Sequence, residues 1–135
     1  MNSLILVNKP KNISSFQVCN RIKHHFKLKK TGHSGTLDPL ASGLLVVAVN
    51  KATKILRFLP KDEKVYELKI EWGISTDTWD MEGEVVEKSD CTVPDIDLLR
   101  KKTKELEGDT EFLVPHYSAK KRTGPHLYKY ATQEE

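Results

Sequence analysis

The chain has 135 residues, of which 38% are hydrophobic and 30% charged, and its 22 basic and 19 acidic side chains leave a net charge of +3. That length suits one ordinary domain and the composition suits a globular protein. No apolar run approaches the ~20 residues that cross a bilayer, and the N-terminus lacks the basic-then-apolar pattern of a secretory leader, so a cytoplasmic location is expected.

In chain order, Leu4 to Val7 is a short apolar run closed by Asn8-Lys9-Pro10, a strand entering a turn. Ser14 or Ser15 is placed to cap a helix, and Phe16, Cys19, Ile22 and Phe26 then recur on one helical face. That helix runs into a basic cluster of Lys23, His24, His25, Lys27, Lys29 and Lys30, and cations suit a helix C-terminus. Residues 31–43 hold three glycines and a proline and read as a long loop. Leu44 to Val49 reads as a strand buried on both faces. A short helix over Lys51 to Leu59 is halted by Pro60. Tyr66, Leu68, Ile70 and Trp72 alternate with charged residues, which predicts a strand with one buried face, ended by Gly73. An acidic loop follows, then a strand over Glu84 to Glu87. Pro94 to Glu107 reads as a helix with Leu99, Thr103 and Leu106 on one side and Gly108 as its stop. The rest predicts a strand over Glu111 to Val114, a basic loop, and a helix starting near His126. The expected fold class is α+β, a mixed, mostly antiparallel sheet flanked by helices.

Cys19 and Cys91 have no Cys-x-x-Cys spacing, which argues against a zinc site or a disulfide framework. Net charge alone is too small to indicate nucleic acid. The basic cluster after the first helix, and a second at Lys120, Lys121, Arg122 and Lys129, fit a phosphate track and a solvated face equally well.

The loop at 31–43 is the segment richest in chemistry. Pro39 pushes Asp38 away from helical geometry, and Gly32, Gly35 and Gly43 permit tight turns, so a carboxylate can be displayed just before a buried strand. An Asp-Pro turn with capping duty is the commoner use of such a pair. A phosphate-binding loop would need a Lys-Ser or Lys-Thr after its last glycine, and a serine nucleophile elbow needs one more residue between its glycines. The acidic residues Asp77, Asp80, Glu82 and Glu84 suggest a calcium loop until Trp79, which stands where an oxygen ligand belongs. A metal-dependent hydrolase built on them is the weaker alternative, and a solvated turn the simpler one.

Gly32 to Gly43, read as Gly-His-Ser-Gly-Thr-Leu-Asp-Pro-Leu-Ala-Ser-Gly, closely resembles the nucleophile loop of TruB-type pseudouridine synthases. Val7-Asn8-Lys9-Pro10 followed by Ile13-Ser14-Ser15 resembles the family's opening motif. Lys64-Val65-Tyr66, Gly73 and the stretch Thr76 to Gly83 resemble its tyrosine strand and following loop. Pro115 to Lys121, with Gly124, Leu127 and Tyr128, resembles its RNA-contacting thumb, placed at about 109–131. The similarity covers nearly all of residues 1–135. Asn12 replaces a usual glycine, and Phe112 and Val114 replace a polar residue and a proline before the thumb. The family's core continues with a Tyr-x-Arg motif, later strands and a C-terminal RNA-binding domain. None of these is present, so the chain reads as a truncated N-terminal portion of the catalytic domain.

The resemblance implies isomerisation of a uridine in the tRNA T-loop to pseudouridine, in the cytoplasm, by a monomer, with no cofactor, no metal and no membrane. It implies Asp38 as the nucleophile, and attack on the base and action at the sugar both remain open. A carboxylate of ordinary acidity is ionised at neutral pH and needs no general base. Extruding the uridine costs a few kcal/mol and stacking on one ring returns about 1–3 kcal/mol, which makes Tyr66 the candidate platform. Its phase with Leu68 and Ile70 fits a core aromatic too. His33 is implied as an RNA contact near the flipped nucleotide, Lys9 with Pro10 as the base of the site, and Lys54 and Lys120 with Lys121 as phosphate contacts. A binding module that holds RNA without chemistry is the competing reading.

Overall fold

A computed structural model of the chain describes residues 1–60, 64–109 and 111. It divides into two units, Met1–Glu67 and Leu68–Glu135. In the first, strand β1 (Leu4–Lys9) leads to helix α1 (Ser15–His25), then to the short strand β2 (Thr31–His33), strand β3 (Gly43–Val49) and a 3-10 helix over Asn50–Phe58. The sheet order is β1-β3-β2, with both pairings antiparallel.

The start of α1 is set by a reciprocal cap. The Ser14 hydroxyl accepts from the Gln17 amide at 3.1 Å, and the Gln17 side-chain oxygen accepts from the Ser14 amide at 2.9 Å. The helix face turned inward is not the one marked by the aromatics. Ser15, Val18 and Cys19 are buried and Ile22 half-buried, whereas Phe16 and Phe26 are exposed. Shifting the contact by one residue brings Ser15 inside, where its hydroxyl has backbone partners.

β3 is central and is apolar because both its edges and much of both its faces are covered. Leu45 and Val47 pack with Ile13, Val18 and Cys19, flanked by Ile5, Val7, Ile22 and Leu37. On the opposite face Ala48 is fully buried beside Gly32, its partner in β2. The 3-10 helix lies against this side: Leu56 would stand 3.2 Å from a side-chain carbon placed on Gly32. Leu6 and Leu44, farther along the same face, are exposed, so the expected two-sided burial holds for the second half of the strand only. Thr31 to His33 belongs to the sheet and not to the loop. Three residues without apolar alternation carry no strand signal of their own, and their pairing is imposed by β3.

Asn50 knots the end of β3 to two other segments. Its backbone is left-handed, with φ 52°, a conformation asparagine tolerates better than most residues. Its side-chain oxygen accepts from the amides of Lys29 and Lys30 at 3.0 and 3.2 Å, and its side-chain nitrogen donates to the Met1 carbonyl at 2.7 Å.

Residues 64–72 form no strand, and Tyr66, Leu68 and Ile70 are all exposed. This corrects the strand expected from their alternation. A strand is held by hydrogen bonds to a neighbour, and no described residue pairs with this segment.

In the second unit, β4 (Ile74–Thr76) and β5 (Val85–Lys88) form an antiparallel pair with a register shift at Ser75/Thr76. Helix α2 (Ile96–Glu105) is capped by the Asp95 carboxylate, so Pro94 lies just outside it and not in its first turn. The acidic loop is closed by its own side chains. One Asp80 oxygen accepts from the Thr78 hydroxyl at 2.7 Å and the Glu82 amide at 2.9 Å, and Asp77 accepts from the Glu84 amide at 2.8 Å. Gly83 is required there, because a side-chain carbon would overlap the Thr78 hydroxyl and the Asp77 carboxylate. These carboxylates work as turn-formers, and among the described residues no cluster of three acidic, histidine or cysteine side chains is placed to hold a metal. The strand expected at Glu111 to Val114 (save Glu111 itself), the basic loop with Lys120 and Lys121, and the helix near His126 lie outside the described residues.

Candidate active site

Asp38 lies in the loop that joins β2 to β3, and its side chain is exposed. It does not cap a helix; its own carbonyl accepts from the Ala41 amide at 3.1 Å in a tight turn. The backbone on either side of it is held by contacts from the first 15 residues. Before it, the Ser15 hydroxyl accepts from the Leu37 amide at 2.9 Å and donates to the Leu37 carbonyl at 3.0 Å. After it, the Pro39 carbonyl accepts from the Asn12 amide at 2.7 Å and from the Lys9 ammonium at 3.3 Å. Asn12 has φ 63°, so the residue that replaces a glycine does take up left-handed geometry. Gly43 ends the loop at φ +147°, opposite Lys9 in the β1–β3 register.

Lys9 has no exposed surface. Its ammonium donates to three carbonyls, those of Ile13 at 2.7 Å, Pro10 at 3.0 Å and Pro39 at 3.3 Å. Burial pushes the Lys9 ammonium below the ordinary lysine value, and the nearby Asp38 charge pulls the other way. Among the described residues the salt bridges join Arg100 to Asp97 and Lys102 to Glu105 only, so Lys9 and Asp38 interact through space without a direct bridge. The result is an exposed carboxylate on an anchored turn, with a buried cation beneath it. Such an arrangement suits a nucleophile whose position must be fixed before its substrate arrives.

The other candidate residues are placed as follows. His33 is half-buried in β2, facing Val47 in the register, and its Nδ1 lies 2.8 Å from the Gly35 carbonyl. A carbonyl only accepts, so that bond requires the proton on Nδ1. His33 and Asp38 therefore bracket one loop. Lys54 is exposed on the 3-10 helix that packs against β2 and β3. Tyr66 is exposed in a segment outside regular structure, and its hydroxyl makes no hydrogen bond among the described residues. Lys120 and the whole thumb-like segment, save Asp109 and Glu111, lie outside the described residues. Sequence reasoning missed Ser15 and the Asn12 amide as supports of the site. The one available signal was the Ser14-Ser15 pair, of which a single residue can serve as the cap.

A model of the TruB family pseudouridylate synthase N-terminal domain matches residues 23–135. The chain is 44% identical over 133 residues to tRNA pseudouridine synthase B of Syntrophotalea carbinolica, covering 98% of this chain and 44% of that protein. It is 43% identical over 131 residues to the protein of the same name from Mycoplasmoides gallisepticum, covering 96% of this chain and 61% of that one. Part of it, 42%, also resembles 18% of a chain in a solved H/ACA RNP bound to a substrate RNA containing 2'-deoxyuridine, at 45% identity and a TM-score of 0.41. The chain thus spans less than two thirds of the length of these proteins. Since the family match takes in the Asp38 loop and runs through most of the residues, the chain belongs to the TruB family of pseudouridylate synthases, within that family's N-terminal domain.

Proposed function

We propose that this chain presents Asp38 as the nucleophile of a tRNA uridine isomerase, acting on a uridine of the T-loop stem-loop. The observation that carries the reading is the exposed Asp38 side chain on a turn whose flanking peptides are both anchored. Isomerisation breaks the bond from ribose to the uracil nitrogen, turns the base, and rejoins it through carbon. Whether the carboxylate adds to the base or acts at the sugar, it must meet an extruded nucleotide at a fixed place, and misplacement by about 1 Å costs roughly 100-fold in rate.

Tyr66, exposed and free of hydrogen bonds among the described residues, supplies a ring on which the uracil stacks. Stacking worth about 1–3 kcal/mol offsets much of the extrusion cost. His33 holds the near end of the loop against the RNA. Lys54 and Lys120 contact phosphates and set position, not base choice. The same reading has the protein acting as a monomer in the cytoplasm; no helix among the described residues is long and apolar enough to cross a membrane.

Tritium release from a T-loop stem-loop labelled at uridine carbon 5 tests the proposal. Asp38→Asn is expected to abolish release while keeping RNA retention, and turnover above about a tenth of wild type would count against the nucleophile assignment. Tyr66→Leu is expected to lower kcat more than it weakens RNA retention. RNA retention by the wild-type chain without any release would favour a binding module.

A further inference from the structure

The geometry points to Ser15 as a positioning residue for Asp38. This inference rests on the proposed nucleophilic role of Asp38 and adds to it the device that fixes where the carboxylate is displayed. Ser15 is 1% exposed. It follows the N-cap, so its hydroxyl is not needed to start the helix, a task Ser14 performs. Instead it grips both backbone polar groups of Leu37, a residue 22 positions away, at 2.9 and 3.0 Å.

The Leu37 carbonyl lies in the same rigid plane as the Asp38 amide and the α-carbons of both residues. Fixing that oxygen fixes the plane that ends at Asp38. On the far side the pyrrolidine ring sets the φ of Pro39 and restricts the ψ of Asp38, and the Pro39 carbonyl is held by Asn12 and Lys9. The Asp38 carbonyl, in the peptide unit that follows, accepts from the Ala41 amide at 3.1 Å, so the α-carbon of Asp38 is a corner between two hydrogen-bonded peptide units, and the freedom left to the carboxylate is mainly that of its own side chain. A single hydroxyl that both donates and accepts can do this. Alanine leaves both Leu37 groups without these partners, and that half of the corner is then set by solvent.

The test compares Ser15→Ala with Ser14→Ala, which weakens the same helix start but leaves the Leu37 contacts in place. Amide exchange at Leu37 reports the grip directly, and tritium release from the labelled stem-loop reports its consequence. Ser15→Ala is expected to speed Leu37 exchange and lower kcat by about tenfold, with KM within about twofold of wild type. Ser14→Ala is expected to change neither in that way. Unchanged Leu37 exchange in Ser15→Ala, or equal kcat losses in the two variants, would overturn the assignment. Wild-type-like release by Asp38→Asn, measured alongside, would instead overturn the parent reading, and the Leu37 exchange result would still decide whether Ser15 holds the turn.

Discussion

Lys9→Met keeps the length and apolar stem of a fully buried side chain and deletes its ammonium. Three carbonyls lose a donor, but not equally. The Pro39 carbonyl retains the Asn12 amide at 2.7 Å, and Pro10 is exposed, so water can reach its oxygen. The Ile13 carbonyl, bonded at 2.7 Å within a 6%-exposed residue, bears the main loss. An unmet buried acceptor costs about 1–3 kcal/mol. Relief of the desolvated charge offsets part of that, and the net expectation is a loss of about 2 kcal/mol in urea unfolding followed by circular dichroism at pH 7. The pH dependence has a definite sign. Burial depresses the folded-state Lys9 value, so the unfolded chain binds this proton more tightly. Wild-type stability should therefore rise relative to Lys9→Met as pH climbs from the depressed value toward the ordinary lysine value, and be flat relative to it below that window. A variant as stable as wild type at pH 7, or two stability curves that stay parallel through the alkaline range, would refute this account of the buried cation.

Three further outcomes are expected. Asn50→Ala removes the bonds to Lys29, Lys30 and Met1 and puts a side chain less tolerant of left-handed geometry at φ 52°; a loss of about 1–2 kcal/mol in the same unfolding assay is expected. Gly83→Ala forces a carbon against Thr78 and Asp77 and should abolish slow amide exchange at Glu82 and Glu84 without changing exchange in β1 or β3. In the native chain a thiol reagent should label the exposed Cys91 first, because Cys19 is buried and burial pushes its thiol up, away from the reactive thiolate; equal labelling rates would show α1 to be open.

Local signals carried well from sequence to structure. A cap at Ser14 or Ser15, a helix end in the basic cluster, the apolar run of β3 and the short helix before Pro60 each depend on neighbours in the chain, and each was legible, save which of the two serines is the cap. Features that depend on distant residues were not. The strand at Thr31 to His33 exists because β3 offers it an edge, while the alternating segment from Tyr66 to Trp72 has the pattern of a strand and no described partner. The phase of α1 was misjudged for the same reason: Phe16 is the more apolar residue, but Ser15 is the one with partners waiting at Leu37. Within the site, Asp38 was conspicuous through its glycine-flanked motif. Its supports at Ser15 and Asn12 act through backbone groups 22 and 27 positions away, and nothing in the local pattern marks such a contact.

The middle position of β3 also governs the order in which the molecule can assemble during synthesis. The ribosome makes β1, α1 and β2 first, yet neither outer strand has a neighbour until residues 43–49 emerge between them. The Asp38 turn, threaded between β2 and β3, therefore has no fixed shape on a shorter nascent chain. Protection of Val7, Ser34 and Leu37 from exchange should then appear together, in one step, as ribosome-bound chains are lengthened past that strand, since the Ser34 amide donates to Val46 of β3.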